Sequence, residues 1–168
     1  MTDDKKDLID RIRSDWARER PELDTSAMEI IGRIIHLGGT FRSQADQALK
    51  GFDLHYSDLD VLATLRRSGA PYQLNPTELM KSVLLTSGAM TAALGRLGRA
   101  DLITRRPDAS DGRVRAVRLS AKGHALIDEA IPVRFQIARE AVAELLQDDR
   151  QRLGDLLRKL SLTTGPGV

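Results

Sequence analysis

Between Arg96 and Arg118 the chain places seven arginines, at 96, 99, 105, 106, 113, 115 and 118, against three aspartates, at 101, 108 and 111. Guanidinium groups at that density suit one kind of chemistry, charge-assisted hydrogen bonding to phosphate oxygens. The segment carries +4 while the whole 168-residue chain carries only +2, so the remainder sums to −2 and the positive charge is local. A phosphate-facing surface requires such a concentration, although a solvated charged face produces the same balance.

Catalytic chemistry finds less support. The three histidines, His36, His55 and His124, are widely spaced. The run HYSDLD at 55–60 reads more simply as helix first-turn carboxylates than as a metal ligand set. A Ser-His-Asp set, a carboxylate pair or a glycine-rich phosphate loop with credible spacing is not found, so the chain is expected not to be an enzyme and to need no metal or cofactor. The absence of cysteine excludes disulfides, thiolate catalysis and cysteine-ligated zinc. Apolar runs fall short of the roughly 18 residues of a membrane span, and MTDDKKDLID does not resemble a signal peptide, so the expected location is cytoplasmic, away from membranes.

The elements that must carry the arginines follow from periodicity. With 4 % aromatic and 30 % charged residues, the composition suits a helical protein. Leu8, Ile9, Ile12 and Trp16 share a face of a helix over 4–20 that Pro21 stops. Ser26 and Glu29 have capping-box spacing before an apolar stripe that runs to Gly51, about seven turns. Ser57 opens a third helix, with Asp58 and Asp60 in its first turn, that closes at Gly69. NPTE at 75–78 starts a short helix, and Thr86 or Ser87 starts the next, which carries Met90, Leu94 and Leu97 inward. Two short helices across a tight turn predict helix-turn-helix geometry.

From Leu102 the period becomes two, and LITRR and VRAVRL predict a β-hairpin with a long polar tip. Ser120 caps a helix running past Pro132, with a kink there, to Leu145 and Leu146, and Asp148 with Gln151 caps the last helix. The fold class is therefore mainly α with a small β-hairpin wing, a winged helix-turn-helix domain joined to a helical dimerisation domain. Residues 1–52 and 121–162 form the dimerisation helices, 55–120 the DNA-binding lobe and 163–168 a flexible tail. Apolar surface on the outer helices exceeds what one middle domain can cover, so a homodimer is expected.

A winged helix suits B-DNA. The major groove admits the second helix, whose early polar residues Thr86, Ser87 and Thr91 can reach base edges. A tip arginine suits the narrow minor groove, Arg113 first and Arg115 second. Arg96 and Arg99, later on the helix, would contact phosphates or acidic neighbours.

Asp111-Gly112-Arg113 followed by VRAVRLSAKG resembles the wing of the MarR family, whose members commonly show Asp-Arg-Arg, an apolar strand, then Leu-Thr and Lys-Gly. The stretches DLDVLATL and NPTELMKSVLLTSGAMTAALGRLGRADLITRRPDASDGR and the leucine-rich last helix fall in family order, so the resemblance covers nearly the whole chain. It implies a dimeric regulator on a pseudo-palindromic operator of double-stranded DNA, usually released by a small phenolic or anionic ligand. It also implies that Asp111 supports the wing by pairing with the tip arginine.

LIDRIRSDWAR is similar to the N-terminal helix of the urate-responsive branch, which implies a ligand set of Trp16, Asp60 and Arg105. Where that branch has a second arginine, this chain has Ala93, which puts urate itself in doubt and leaves a ligand with fewer negative groups, or a different aromatic acid, as effector. Each residue also has a plainer reading: Trp16 as a packing anchor, Asp60 as a helix-dipole partner, Arg105 as the mate of Asp60. Asp101 stands where the family more often has Gly, and Asp tolerates the left-handed turn that position needs. The leading expectation is a ligand-released transcriptional repressor. The rival is a winged-helix module that binds another protein and no longer binds DNA, favoured by a recognition helix made light by Ala93, Gly95 and Gly98.

Overall fold

The computed structural model describes residues 5–107 and 115–164, and the chain divides into two units, 1–44 and 45–168. In the first unit, helix α1 (Leu8–Glu19) begins with a reciprocal cap in which the Asp10 N–H donates to Asp7 at 2.9 Å and the Asp7 N–H to Asp10 at 3.1 Å. Arg33, on helix α2 (Met28–Ala48), donates to both carboxylates at 2.7 Å, and Arg13 to Glu29 at 3.0 Å. Ile9 is buried against Gly32, where a Cβ would stand 3.1 Å from Ile9 Cδ1. Trp16 is 48 % exposed.

The predicted Ser26–Glu29 box is not what starts α2. Glu29 is instead ion-paired with Arg13, and the Ser26 N–H, which Glu29 would have accepted, donates to the Asp24 carboxylate. The helix is also shorter than expected. It ends at Ala48, and a 3₁₀ turn, Leu49–Phe52, closes on Asp53 in the left-handed region at φ 54°.

The second unit is built around helix α3 (Tyr56–Arg67), whose Leu59, Val61, Leu62 and Leu65 are all at most 2 % exposed. Packed with them are Leu79 of α4 (Pro76–Ser82), Met90, Ala93, Leu94 and Leu97 of α5 (Ser87–Arg99), and Ile127 and Ala130 of α6 (Ala121–Ala141). The wing strands β2 (Ile103–Pro107) and β3 (Arg115–Leu119) pair antiparallel, with Ile103 opposite Leu119 and Arg105 opposite Val117. A further strand, β1 (Gln73–Leu74), lies on the other side of β3, so the expected hairpin is a three-stranded sheet in the order β1-β3-β2.

Two boundaries near the C-terminus differ from expectation. Pro132 stands inside α6 without ending it, and the helix stops at Ala141, where Arg150 reaches back to the carbonyls of Ala143 and Leu145. The last helix, α7 (Gln147–Thr163), is capped from Leu146, so Asp148 lies within its first turn and Gln151 turns to Asp155. Among its described side chains none is buried.

Candidate nucleic-acid interface

The two helices α4 and α5 form the helix-turn-helix, and their starts follow the expected local rules. Asn75 accepts the Glu78 N–H at 2.9 Å while Glu78 accepts the Asn75 N–H at 3.0 Å, with Pro76 at the first helical position. Thr86 accepts the Ala89 N–H at 3.3 Å and caps α5. Ser87, Gly88, Thr91 and Ala92 are exposed, opposite the buried Met90, Ala93, Leu94 and Leu97. The Thr91 hydroxyl donates to the Ser87 carbonyl at 2.9 Å, which leaves its oxygen lone pairs and methyl group to face outward.

Ala93 is fully buried. The position where the urate-type pattern has its second arginine is thus part of the apolar core here.

Two aspartates of α3 hold the recognition helix in place. The Asp60 carboxylate accepts the Leu84 N–H at 2.7 Å, in the turn between α4 and α5, and so holds that turn. Asp58, 2 % exposed, takes the Arg96 guanidinium, with Nη2 to Oδ1 at 2.8 Å and Nε to both oxygens at 3.1 Å. Arg96 Nη2 also donates to Ser57 Oγ at 2.8 Å. The third helix thus begins one residue earlier than expected, capped from His55, whose N–H donates to Asp58 at 3.0 Å. Arg67, near the end of α3, donates to the Ser82 carbonyl and so closes α4.

Past α5 the chain turns sharply at Asp101, at φ 58°, the left-handed conformation its residue type tolerates. Ser120 caps α6 by accepting the Gly123 N–H at 2.9 Å and also donates to the Asp101 carbonyl at 2.7 Å. Lys122 donates to the Ala100 carbonyl at 2.9 Å. The end of the recognition helix is thereby bolted to the start of α6, a junction that the Ser-Ala-Lys-Gly motif did not reveal by itself.

A pocket of about 310 Å³ opens between α5 and the sheet, lined by Pro76, Met90, Thr91, Leu94, Arg105 and Val117. Arg105 and Val117 are direct cross-strand partners, so both side chains come to one face. Arg105 and Thr91 therefore share a cavity, whereas Asp60 is engaged at the α4–α5 turn and Trp16 belongs to the other unit. Arg115 opens β3 opposite Pro107. Asp111 and Arg113 lie outside the described residues. A second polar cluster escaped the sequence reading: Arg66 donates to Asp128 at 2.8 Å and lies over the Tyr72 ring, which meets His124 edge-on. The Arg66 hydrogen bond, with the charges of Arg66 and His124, holds the Asp128 carboxyl below its ordinary value. Among the described residues there is no cluster of metal-ligating side chains and no helix long and apolar enough to cross a membrane.

Residues 52–114 match a family model described as MarR family. The transcriptional regulator PecS of Dickeya dadantii (strain 3937) is 28 % identical over 152 residues, covering 90 % of this chain and 92 % of PecS. A cysteine-to-serine mutant of MarR from E. coli, solved in complex with operator DNA, superposes with a TM-score of 0.69 at 27 % identity, covering 82 % of this chain and 99 % of that one. BpsR of Bordetella bronchiseptica, described as regulated in its DNA binding by 6-hydroxynicotinic acid, superposes at 0.70 with 23 % identity over 79 % of this chain and 94 % of that one, a likeness of fold.

Proposed function

We propose that the chain is a transcriptional regulator of the MarR family, which its residues 52–114 match, and that it is a repressor that binds a pseudo-palindromic operator as a homodimer and leaves it when a small aromatic acid binds. The observation that carries this reading is the exposed early face of α5, where Ser87 and Thr91 stand beside a capped N-terminus at Thr86, next to an arginine-bearing sheet. Hydroxyls and methyl groups there are of a size to read base edges in the major groove. Arg113 and Arg115 supply the minor-groove and phosphate contacts of the wing, with Asp111 steadying its tip.

The effector is assigned to the pocket beside Arg105. Its Met90, Leu94 and Val117 offer an apolar wall for a ring, and the guanidinium offers a partner for a carboxylate. Because Thr91 lines both this pocket and the proposed DNA face, an occupant shifts the population away from the operator-bound form. Asp60 would act on this site indirectly, through its grip on the turn at Leu84.

In vitro selection from random duplex DNA, followed by a salt titration, tests the reading. An inverted repeat with half-sites about 10 bp apart and a steep loss of affinity with salt is the expected result. A folded protein that enriches no sequence at low salt supports the other reading, a protein-interaction module, which the short side chains of Gly88, Ala92, Gly95 and Gly98 on α5 favour. With an operator in hand, Arg105→Gln should bind it nearly as the wild type does while losing most of the release caused by aromatic acids. An unchanged response removes Arg105 from the ligand site.

A further inference from the structure

We infer that Arg96 is a positioning residue, which seats the recognition helix by way of Asp58 and Ser57 and does not itself hold DNA. The inference rests on the DNA-binding reading above. Its starting point is how fully the guanidinium is committed: Nε lies 3.1 Å from each Asp58 oxygen, and Nη2 lies 2.8 Å from Oδ1 and 2.8 Å from Ser57 Oγ. The Asp58 side chain is 3 % exposed, while that of Arg96 is 34 % exposed. Swinging Arg96 out to a phosphate would leave a buried carboxylate with the His55 N–H but without its counter-charge, which is strongly unfavourable.

Helical geometry agrees. At about 100° per residue, Arg96 stands about 140° around α5 from Thr91 and about 180° from Ser87, on the flank that faces α3. The ion pair joins residues 38 apart in the chain and fixes the later half of α5 to the first turn of α3. The turn before α5 is fixed to the same helix by Asp60 and the Leu84 N–H at 2.7 Å. Carboxylates two residues apart on α3 therefore hold the recognition helix at both ends. Such control matters more for this helix than for one bearing long side chains. Ser87, Thr91 and Ala92 reach only a short way, so a small tilt takes them out of contact with base edges while backbone contacts elsewhere persist.

The test uses the full chain, the duplex selected by the wild-type protein and a scrambled duplex of the same length, over a salt series. Arg96→Lys, Arg96→Gln and Asp58→Asn are each expected to weaken binding to the selected duplex by about ten-fold or more, with little change on the scrambled one and an unchanged salt slope. The double variant Arg96→Gln/Asp58→Asn should be no worse than either single, since both remove one interaction. The inference is overturned if Arg96→Lys binds like the wild type while Arg96→Gln weakens both duplexes alike and flattens the salt slope by about one, the signature of a phosphate contact. It is equally overturned if the variants melt earlier but, while still folded, discriminate as the wild type does. Should the charge variants fail to fold, Ser57→Ala removes one hydrogen bond of the network; a smaller loss of discrimination is expected, and none overturns the inference. A wild type that selects no sequence removes the DNA-binding reading first, and this inference with it.

Discussion

At Gly123 the fold leaves no room for a methyl group, because a Cβ there would stand 2.0 Å from the Leu102 carbonyl oxygen and 2.9 Å from its carbon. The neighbour is backbone and cannot turn aside, so Gly123→Ala should destabilise the protein by about 2–3 kcal/mol in urea or thermal melts. An alanine variant as stable as the wild type would mean that the junction between the wing and α6 is looser than described. Asp128 offers a pH-dependent test. Its carboxyl is held below the ordinary aspartate value, chiefly by the Arg66 hydrogen bond, so the folded state binds its proton less readily than the unfolded state does. The stabilisation is therefore present above the ordinary aspartate range and lost as pH falls through the lowered value. Asp128→Asn should be less stable than the wild type near neutrality, and the two should converge in acid; a difference that persists at low pH would contradict the ion-pair account.

At the scale of the element, α5 and the turn before it carry the functional argument. Gly98 is exposed in the last turn of α5, with nothing within 4 Å of where a Cβ would be. Gly98→Ala should stabilise the protein by up to about 1 kcal/mol through helix propensity, seen as a higher melting temperature. A loss of stability would show that the backbone there is not regular helix. Asp60→Ala removes the acceptor for the Leu84 N–H, and amide exchange at Leu84 should quicken, at a cost of about 1 kcal/mol. Exchange that stays slow would mean that another group protects that amide. Several local expectations for these elements hold: the Asn75 box, the Thr86 and Ser120 caps and the left-handed Asp101. The Ser26–Glu29 and Asp148–Gln151 boxes do not, because a capping pattern states only which hydrogen bond is available, and Arg13 and Asp155 offered others.

For the whole molecule, exposed apolar side chains set the question. Leu153, Leu156 and Leu157 of α7 are 44 %, 57 % and 41 % exposed, and Ile30, Ile35 and Phe41 of α2 are 59 %, 69 % and 38 % exposed. A helix of 17 residues with no buried side chain among those described draws little stability from its own propensity and needs a covering surface. The proposed homodimer supplies one. Leu156→Glu with Leu157→Glu should convert the protein to monomers in sedimentation analysis and abolish tight operator binding, since two half-sites then cannot be held together. A dimer of wild-type strength would place the interface elsewhere.

What the amino-acid order determined by itself is what short-range physics controls. Hydrophobic period places the helices, cap residues place most of their starts, the change of period at Leu102 places the wing, and arginine density marks its surface. What only the tertiary structure decided are the contacts between residues far apart in the chain. Strand β1 is two residues long and becomes a strand only by pairing with β3. Ala93 is a core position because α5 lies on α3, and Arg96 faces Asp58 because the fold brings residues 38 apart to 2.8 Å. Gly123 is needed because Leu102 lies against it. Periodicity and capping are set within a few residues of each position, whereas ion-pair choice, burial and steric exclusion depend on which surfaces the packed core brings together.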